Sequence, residues 1–199
     1  MASTTSNTKI VFVCTGNICR SPMAEQMLED LAKKHKLPLV VTSAGVAAMT
    51  GDPMTKESQE AMVQRGYKPT AHKAKDLTQK LLTDADLVIT MTLEHRSEIA
   101  RLLPRAGKYS FSIDEFARLT SFLSTDPEFS EEFQKKPRET RDAYLKRAIE
   151  QAILLRGMVP TGEDPKDVMD PYGESLEVYS EVAQQIDDML KVIVEWFSR

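Results

Sequence analysis

The sequence predicts an α/β fold: an open four-stranded parallel sheet with helices on both faces, plus a helical insertion. Three observations predict it. Short apolar runs such as Lys9-Ile10-Val11-Phe12-Val13 lack polar alternation, as strands buried on both faces do. Segments with apolar residues at helical spacing alternate with those runs, the pattern of a parallel sheet covered by helices. The chain's 199 residues, 41% of them hydrophobic, suffice for one domain with a sizeable core.

The elements follow in order. Residues 1–8 are small and polar and are expected to form a flexible tail ahead of a single domain over 9–199. Lys9–Val13 is the first strand, and a tight loop occupies 14–20. Beyond it, Met23, Met27, Leu28 and Leu31 have helical spacing; Ser21 suits the N-cap and Pro22 the first helical position. Leu39–Thr42 reads as a second strand, followed by a turn at Ser43-Ala44-Gly45. A helix from about Thr55 ends at Gly66, which suits a left-handed C-cap. Asp84–Met91 holds a third strand, and a helix follows through Leu93, Ile99, Leu102 and Leu103. Lys108–Ile113 is a fourth strand. The last helix runs from about Ser175 to Phe197, with Tyr179, Val182, Ile186, Met189, Leu190, Ile193 and Phe197 in one stripe.

Residues 114–166 are charged and strand-free. Arg138–Leu155 within them reads as a helix, with Tyr144, Leu145, Ile149, Ala152 and Ile153 on one face. This stretch is expected to be a helical insertion, since it could not bury much core alone. Two roles stay open for it: packing beside a catalytic loop to restrict substrates, or peripheral decoration.

Composition removes several function classes. Lys and Arg number 26 against 30 Asp and Glu, a net charge of −4, which argues against a nucleic-acid binder. No uninterrupted apolar run reaches the roughly 20 residues that span a bilayer, so no membrane partner is expected. MASTTSNTK offers no apolar segment for a secretory signal. The 2 cysteines, Cys14 and Cys19, do not make a disulfide scaffold, and a cytoplasmic location is expected.

Chemistry concentrates in Val13-Cys14-Thr15-Gly16-Asn17-Ile18-Cys19-Arg20-Ser21-Pro22. A cysteine ends a buried strand, and an arginine follows at a helix N-terminus. Successive backbone N–H groups of a tight loop form an anion nest, and the helix end adds unpaired donors. Gly16 and Asn17 tolerate the positive φ that such a loop needs. Arg20 offers a planar fork for two phosphate oxygens. The positive field favours the thiolate, the nucleophilic form of a cysteine. Residues 14–20 thus read as a phosphate cradle with a nucleophile at its base, suited to transfer through a cysteinyl-phosphate.

CTGNICRSPMAE resembles the signature loop of the low-molecular-weight protein tyrosine phosphatase family. Thr42-Ser43-Ala44-Gly45 and Met169-Asp170-Pro171-Tyr172-Gly173 fit that family in the same order, so the resemblance covers about 8–113 and 167–199. It implies Cys14 as nucleophile and Arg20 as binder of the phosphate and transition state. It implies Ser21 as the hydroxyl supporting the thiolate. Asn17 would stiffen the loop, held by Ser43 and His72. Ser43 could equally be a turn residue, and His72 a surface loop histidine.

A leaving oxygen must be protonated as its bond to phosphorus breaks, which a carboxylic acid can do. Asp-Pro pairs occur at Asp52, Asp126, Asp164 and Asp170. Asp170 is preferred because Tyr172, Gly173 and the last helix follow it, where the family places its acid; Asp164 is the runner-up. The other pairs are expected to be turns. Tyr172 and Ile18 are expected to wall the substrate pocket. Family members that act on phosphoarginine tend to have threonine where Ile18 stands. TMTLEHRSEI (90–99) and DPYG nonetheless look closer to that bacterial branch. Isoleucine, which would touch the substrate, carries more weight. Cys19 would form a reversible disulfide with Cys14 by family resemblance, or fill a small apolar space.

The expected function is hydrolysis of phosphotyrosine in proteins, with phosphoarginine in proteins as the alternative. Partners would be phosphotyrosine proteins, a cognate tyrosine kinase among them, and phosphate or other oxyanions in the cradle. No cofactor and no metal are expected, as the chain has no HExxH, Cys/His cluster or Walker loop. An arsenate reductase would need further cysteines, and a phosphocarrier or silent phosphate-binding module would not need both Arg20 and Asp170.

Overall fold

The computed structural model describes residues 7–130, 136–158 and 166–199. Four parallel strands, β1 (Thr8–Cys14), β2 (Leu39–Gly45), β3 (Leu87–Thr90) and β4 (Ser110–Ser112), form a sheet in the order β2-β1-β3-β4. Side chains alternate across β1. Ile10 and Phe12 enter the larger core, while Val11 and Val13 enter a smaller one on the opposite face. The larger core takes in residues of α1 (Arg20–His35), α2 (Lys56–Gln64), α5 (Ile113–Thr125), α7 (Arg141–Leu154) and α8 (Leu176–Phe197). The smaller is closed by α3 (Gln79–Asp84) and α4 (Leu93–Leu102). The short α6 (Pro127–Ser130) follows α5. Because β2 and β3 flank β1 on opposite sides, the chain reverses its winding there. The crevice of an open α/β sheet opens at such a point, beyond the carboxyl ends of the strands.

Several boundaries differ from expectation for physical reasons. Of the expected tail, residues 1–6 lie outside the described residues, and Thr8 already belongs to β1, where its buried hydroxyl donates to Asp142 Oδ1 at 2.9 Å. Helix α1 starts at Arg20 with Cys19 as its N-cap, so Ser21 lies inside the first turn and is not the cap. Pro22 is still tolerated, since the first N–H groups of a helix have no intrahelical acceptor. β2 runs through Ser43-Ala44-Gly45, where a turn was expected, because each of those residues pairs with β1. Asp84 ends α3 and does not enter the third strand.

Within the stretch expected as a helical insertion, two helices reach the larger core. Helix α5 buries Phe116, Leu119 and Leu123 in the larger core. α7 adds Tyr144, Leu145, Ala148, Ile149 and Ala152 to the same core, and Tyr144 donates to the Trp196 carbonyl at 3.1 Å. Its first turn meets the start of β1, the end away from Cys14. At its other end Arg156 Nε donates to Glu115 Oε1 at 2.7 Å.

Candidate active site

The loop leaving β1 is organised by where its carbonyls point. The Cys14 carbonyl accepts from Val46 N at 3.0 Å, Thr15 from Ala47 N at 3.1 Å and Gly16 from Met49 N at 3.0 Å. Asn17 accepts from His72 Nε2 at 2.7 Å, Ile18 from Thr55 N at 2.9 Å and Cys19 from Met23 N at 3.2 Å. In a trans peptide the N–H points opposite to the C=O. With these carbonyls held outward, the amides that follow them turn inward, toward the space above Cys14. One of them, Asn17 N, lies 3.3 Å from Cys14 Sγ. The β2 end must approach closely for this: a Cβ on Gly45 would sit 2.4 Å from the Thr15 carbonyl oxygen.

Asn17 holds the loop from inside. It is buried in the left-handed region at φ 55°. Its Nδ2 donates to Ser21 Oγ at 2.9 Å and to Ser43 Oγ at 2.8 Å, and its Oδ1 accepts from Lys75 N at 2.9 Å. Ser43 Oγ donates to Glu25 Oε2 at 2.5 Å, and Glu25 Oε2 lies 3.9 Å from His72 Nδ1. Ser21 Oγ accepts from Asn17 Nδ2 and lies 2.9 Å from Cys14 Sγ, within reach to donate its proton to a thiolate there.

Arg20 is buried and reaches across to the segment before α8. Nη1 donates to the Val168 carbonyl at 3.1 Å and Nη2 to Asp170 Oδ2 at 2.5 Å. Its Nε is buried and has no hydrogen-bond partner among the described residues. Asp170 is half exposed, and its Oδ1 accepts from Tyr172 N at 3.2 Å. Cys14, Arg20 and Asp170 line one cleft of about 220 Å³, and Ile18, Ala47, Met49 and Tyr172 supply its apolar walls.

A model of the family described as low molecular weight phosphotyrosine protein phosphatase matches residues 9–126. The chain belongs to this family. Members are cysteine-based phosphomonoester hydrolases, and the sheet with its helices has the family's fold. A protein-arginine-phosphatase of Bacillus subtilis (strain 168) is 27% identical over 186 residues, 94% of each chain. A probable low molecular weight protein-tyrosine-phosphatase, EpsP, of Ralstonia nicotianae is 37% identical over 119 residues, 59% of this chain and 77% of the relative. The crystal structure of a YwlE mutant from Bacillus subtilis superposes with a TM-score of 0.70 at 26% identity, covering 96% of this chain and 99% of that one.

In this phosphatase several contacts around the cradle come from residues that sequence reasoning passed over. His95 is buried, with Nε2 2.9 Å from Thr15 Oγ1 and Nδ1 2.8 Å from Thr92 Oγ1. Burial and then the Arg20 charge push its pKa down to about 4, against the opposing pull of Asp170 and Asp167. Glu25 and Asp167 were likewise missed. A signal existed for Glu25, which closes the CTGNICRSPMAE match, and for His95, which lies within TMTLEHRSEI; none existed for Asp167, whose partner is distant in sequence. Cys19 is a free thiol that burial pushes up, with Tyr179 OH and Thr55 Oγ1 each 3.7 Å away. Asp126 Oδ1 accepts from Glu128 N at 2.8 Å in a local turn, and Asp52 N donates to Met49 O at 2.9 Å in another. Asp164 lies outside the described residues. Among the described residues no group of three or more His, Cys, Asp or Glu is placed to hold a metal ion. No described helix is long and apolar enough to cross a membrane.

Proposed function

We propose that the protein hydrolyses phosphotyrosine in protein substrates through a cysteinyl-phosphate on Cys14. The observation that carries this reading is the outward set of carbonyls over Cys14–Cys19, which turns backbone donors onto the space between Cys14 Sγ and Arg20. Such donors stabilise a phosphoryl group as its charge redistributes, at no reorganisation cost. The phosphoryl group displaces Asp170 from the Arg20 fork. Cys14 Sγ then attacks phosphorus as the bond to the tyrosyl oxygen breaks, and that oxygen takes the proton held by Asp170. In the second step the Asp170 carboxylate removes a proton from water. The water oxygen bonds to phosphorus, and the Cys14 thiolate leaves with Ser21 as its hydrogen-bond donor. The apolar walls of Ile18, Ala47, Met49 and Tyr172 suit a phenyl ring.

Phosphoarginine in proteins is the second reading. It is favoured by the Bacillus subtilis protein-arginine-phosphatase, which aligns with this chain almost end to end. Paired initial rates on a phosphotyrosine peptide and a phosphoarginine peptide decide between them. The expected result is faster turnover of phosphotyrosine and a loss of about 10⁴-fold or more in Cys14→Ser. Faster phosphoarginine turnover would exchange the substrate and keep the mechanism. Turnover that survives Cys14→Ser would overturn the mechanism.

A further inference from the structure

We propose that Asp167 is a positioning residue for Asp170: by gripping the first turn of α4, its carboxylate anchors the loop that presents Asp170 to the cradle. The inference rests on the reading of Asp170 as general acid. Three successive residues ahead of Asp170 are tied to the ends of other elements. Lys166 N donates to Asp114 Oδ2 at 3.0 Å. Asp167 Oδ1 accepts from Leu93 N at 2.8 Å. Val168 N donates to the Met91 carbonyl at 2.9 Å, and the Val168 carbonyl accepts from Arg20. Beyond Val168 the ties thin out, and Met169, Asp170 and Tyr172 are exposed.

Asp167 is itself exposed, so its contribution is not core packing. The first N–H groups of a helix lack intrahelical acceptors, and a carboxylate there is favoured by the helix dipole. Thr92 Oγ1 already serves His95 N at 3.2 Å, and Asp167 takes a different donor, Leu93 N. The same first turn carries His95, which touches Thr15 in the cradle. Asp167 therefore sets the acid loop in register with the cradle through less than one helical turn. Without that tie the loop keeps its Val168 bonds, but Asp170 is no longer fixed against the leaving oxygen, and small displacements of reacting groups cost large factors in rate.

The readout is the dependence of kcat/KM on the leaving group. A poor leaving group such as phenyl phosphate needs the acid, whereas 2,4-dinitrophenyl phosphate does not. For Asp170→Asn the expected loss is about 100-fold on phenyl phosphate, with the dinitrophenyl ester within about twofold. Asp167→Ala is expected to show the same pattern at about tenfold, with an unchanged inhibition constant for inorganic phosphate. Asp167→Asn, whose amide oxygen still accepts from Leu93 N, is expected to restore the wild-type profile. Asp167→Ser, whose shorter side chain loses the carboxylate without adding a charge, gives the same comparison if the alanine variant does not fold. Equal losses on both esters, or wild-type kinetics in Asp167→Ala beside a selective Asp170→Asn, would overturn the Asp167 inference alone. A non-selective Asp170→Asn would overturn the acid assignment and the inference with it.

Discussion

The two loops that meet at the active site are built on opposite plans. In the cradle, each carbonyl from Cys14 to Cys19 is tied down, and Asn17 braces the interior with three side-chain hydrogen bonds. In the loop before α8, the backbone ties to other elements end at Val168, and Asp170 is half exposed and held by its side chain to Arg20. The difference suits the roles proposed for the two loops. A phosphoryl group is stabilised best by donors that are already aimed, because reorienting dipoles during the reaction would cost energy. Asp170, as the proposed acid, would have to meet leaving groups of different shape and then a water molecule, which suits a loop tethered at its base and open at its tip.

Arg20 belongs to both loops, and the largest effect that tests the comparison falls on it. Lysine keeps the charge but loses the fork that now spans Val168 and Asp170. For Arg20→Lys, kcat/KM is expected to fall by about 100- to 1,000-fold, with a matching rise in the inhibition constant for phosphate. A loss confined to kcat/KM with phosphate affinity unchanged would mean that Arg20 serves the acid loop alone. The next effect separates the rigid loop from the tethered one by stability. Asn17→Ala strands Ser21, Ser43 and the Lys75 amide and puts alanine at positive φ. It is expected to cost about 2–4 kcal/mol in urea unfolding, whereas Asp170→Asn, half exposed and still able to accept from Arg20, should cost about 1 kcal/mol or less.

A further effect, seen only as a pH dependence, concerns His95, which lies between the loops. Its folded-state pKa of about 4 is below the ordinary 6.5. As pH falls, the unfolded chain takes up this proton before the folded one does. The stability tied to neutral His95 is therefore present above pH 6.5 and lost as pH drops toward about 4. Urea midpoints measured across that interval should fall less steeply in His95→Gln than in the wild type. Equal slopes would mean that His95 meets the same environment folded and unfolded.

The fold was legible because buried strands and amphipathic helices write their period into the sequence. β1 and α8 were found within a residue or two, and the parallel order of alternating strands and helices holds. The errors come from residues whose local preference lost to tertiary demand. Ser21 has the chemistry of an N-cap, but its hydroxyl faces Cys14. Ser43 reads as a turn residue, but β1 pairing keeps it extended. In the site, the ten residues around the cradle were readable because their chemistry is contiguous. The contacts of His95 and Asp167 were not, since each joins residues some 70 to 80 positions apart.

The outward carbonyls have a consequence for descent as well as for catalysis. Most donors aimed into the cradle belong to the main chain, which every amino acid supplies alike. Exchange of a rim side chain such as Ile18, Met49 or Tyr172 alters the walls of the cleft and leaves those amides where they are. On the proposed mechanism, affinity for the phosphoryl group and preference for what carries it rest on different atoms of the same loop. A rim residue could then be exchanged, and the substrate with it, while the donors to the phosphoryl group stay in place.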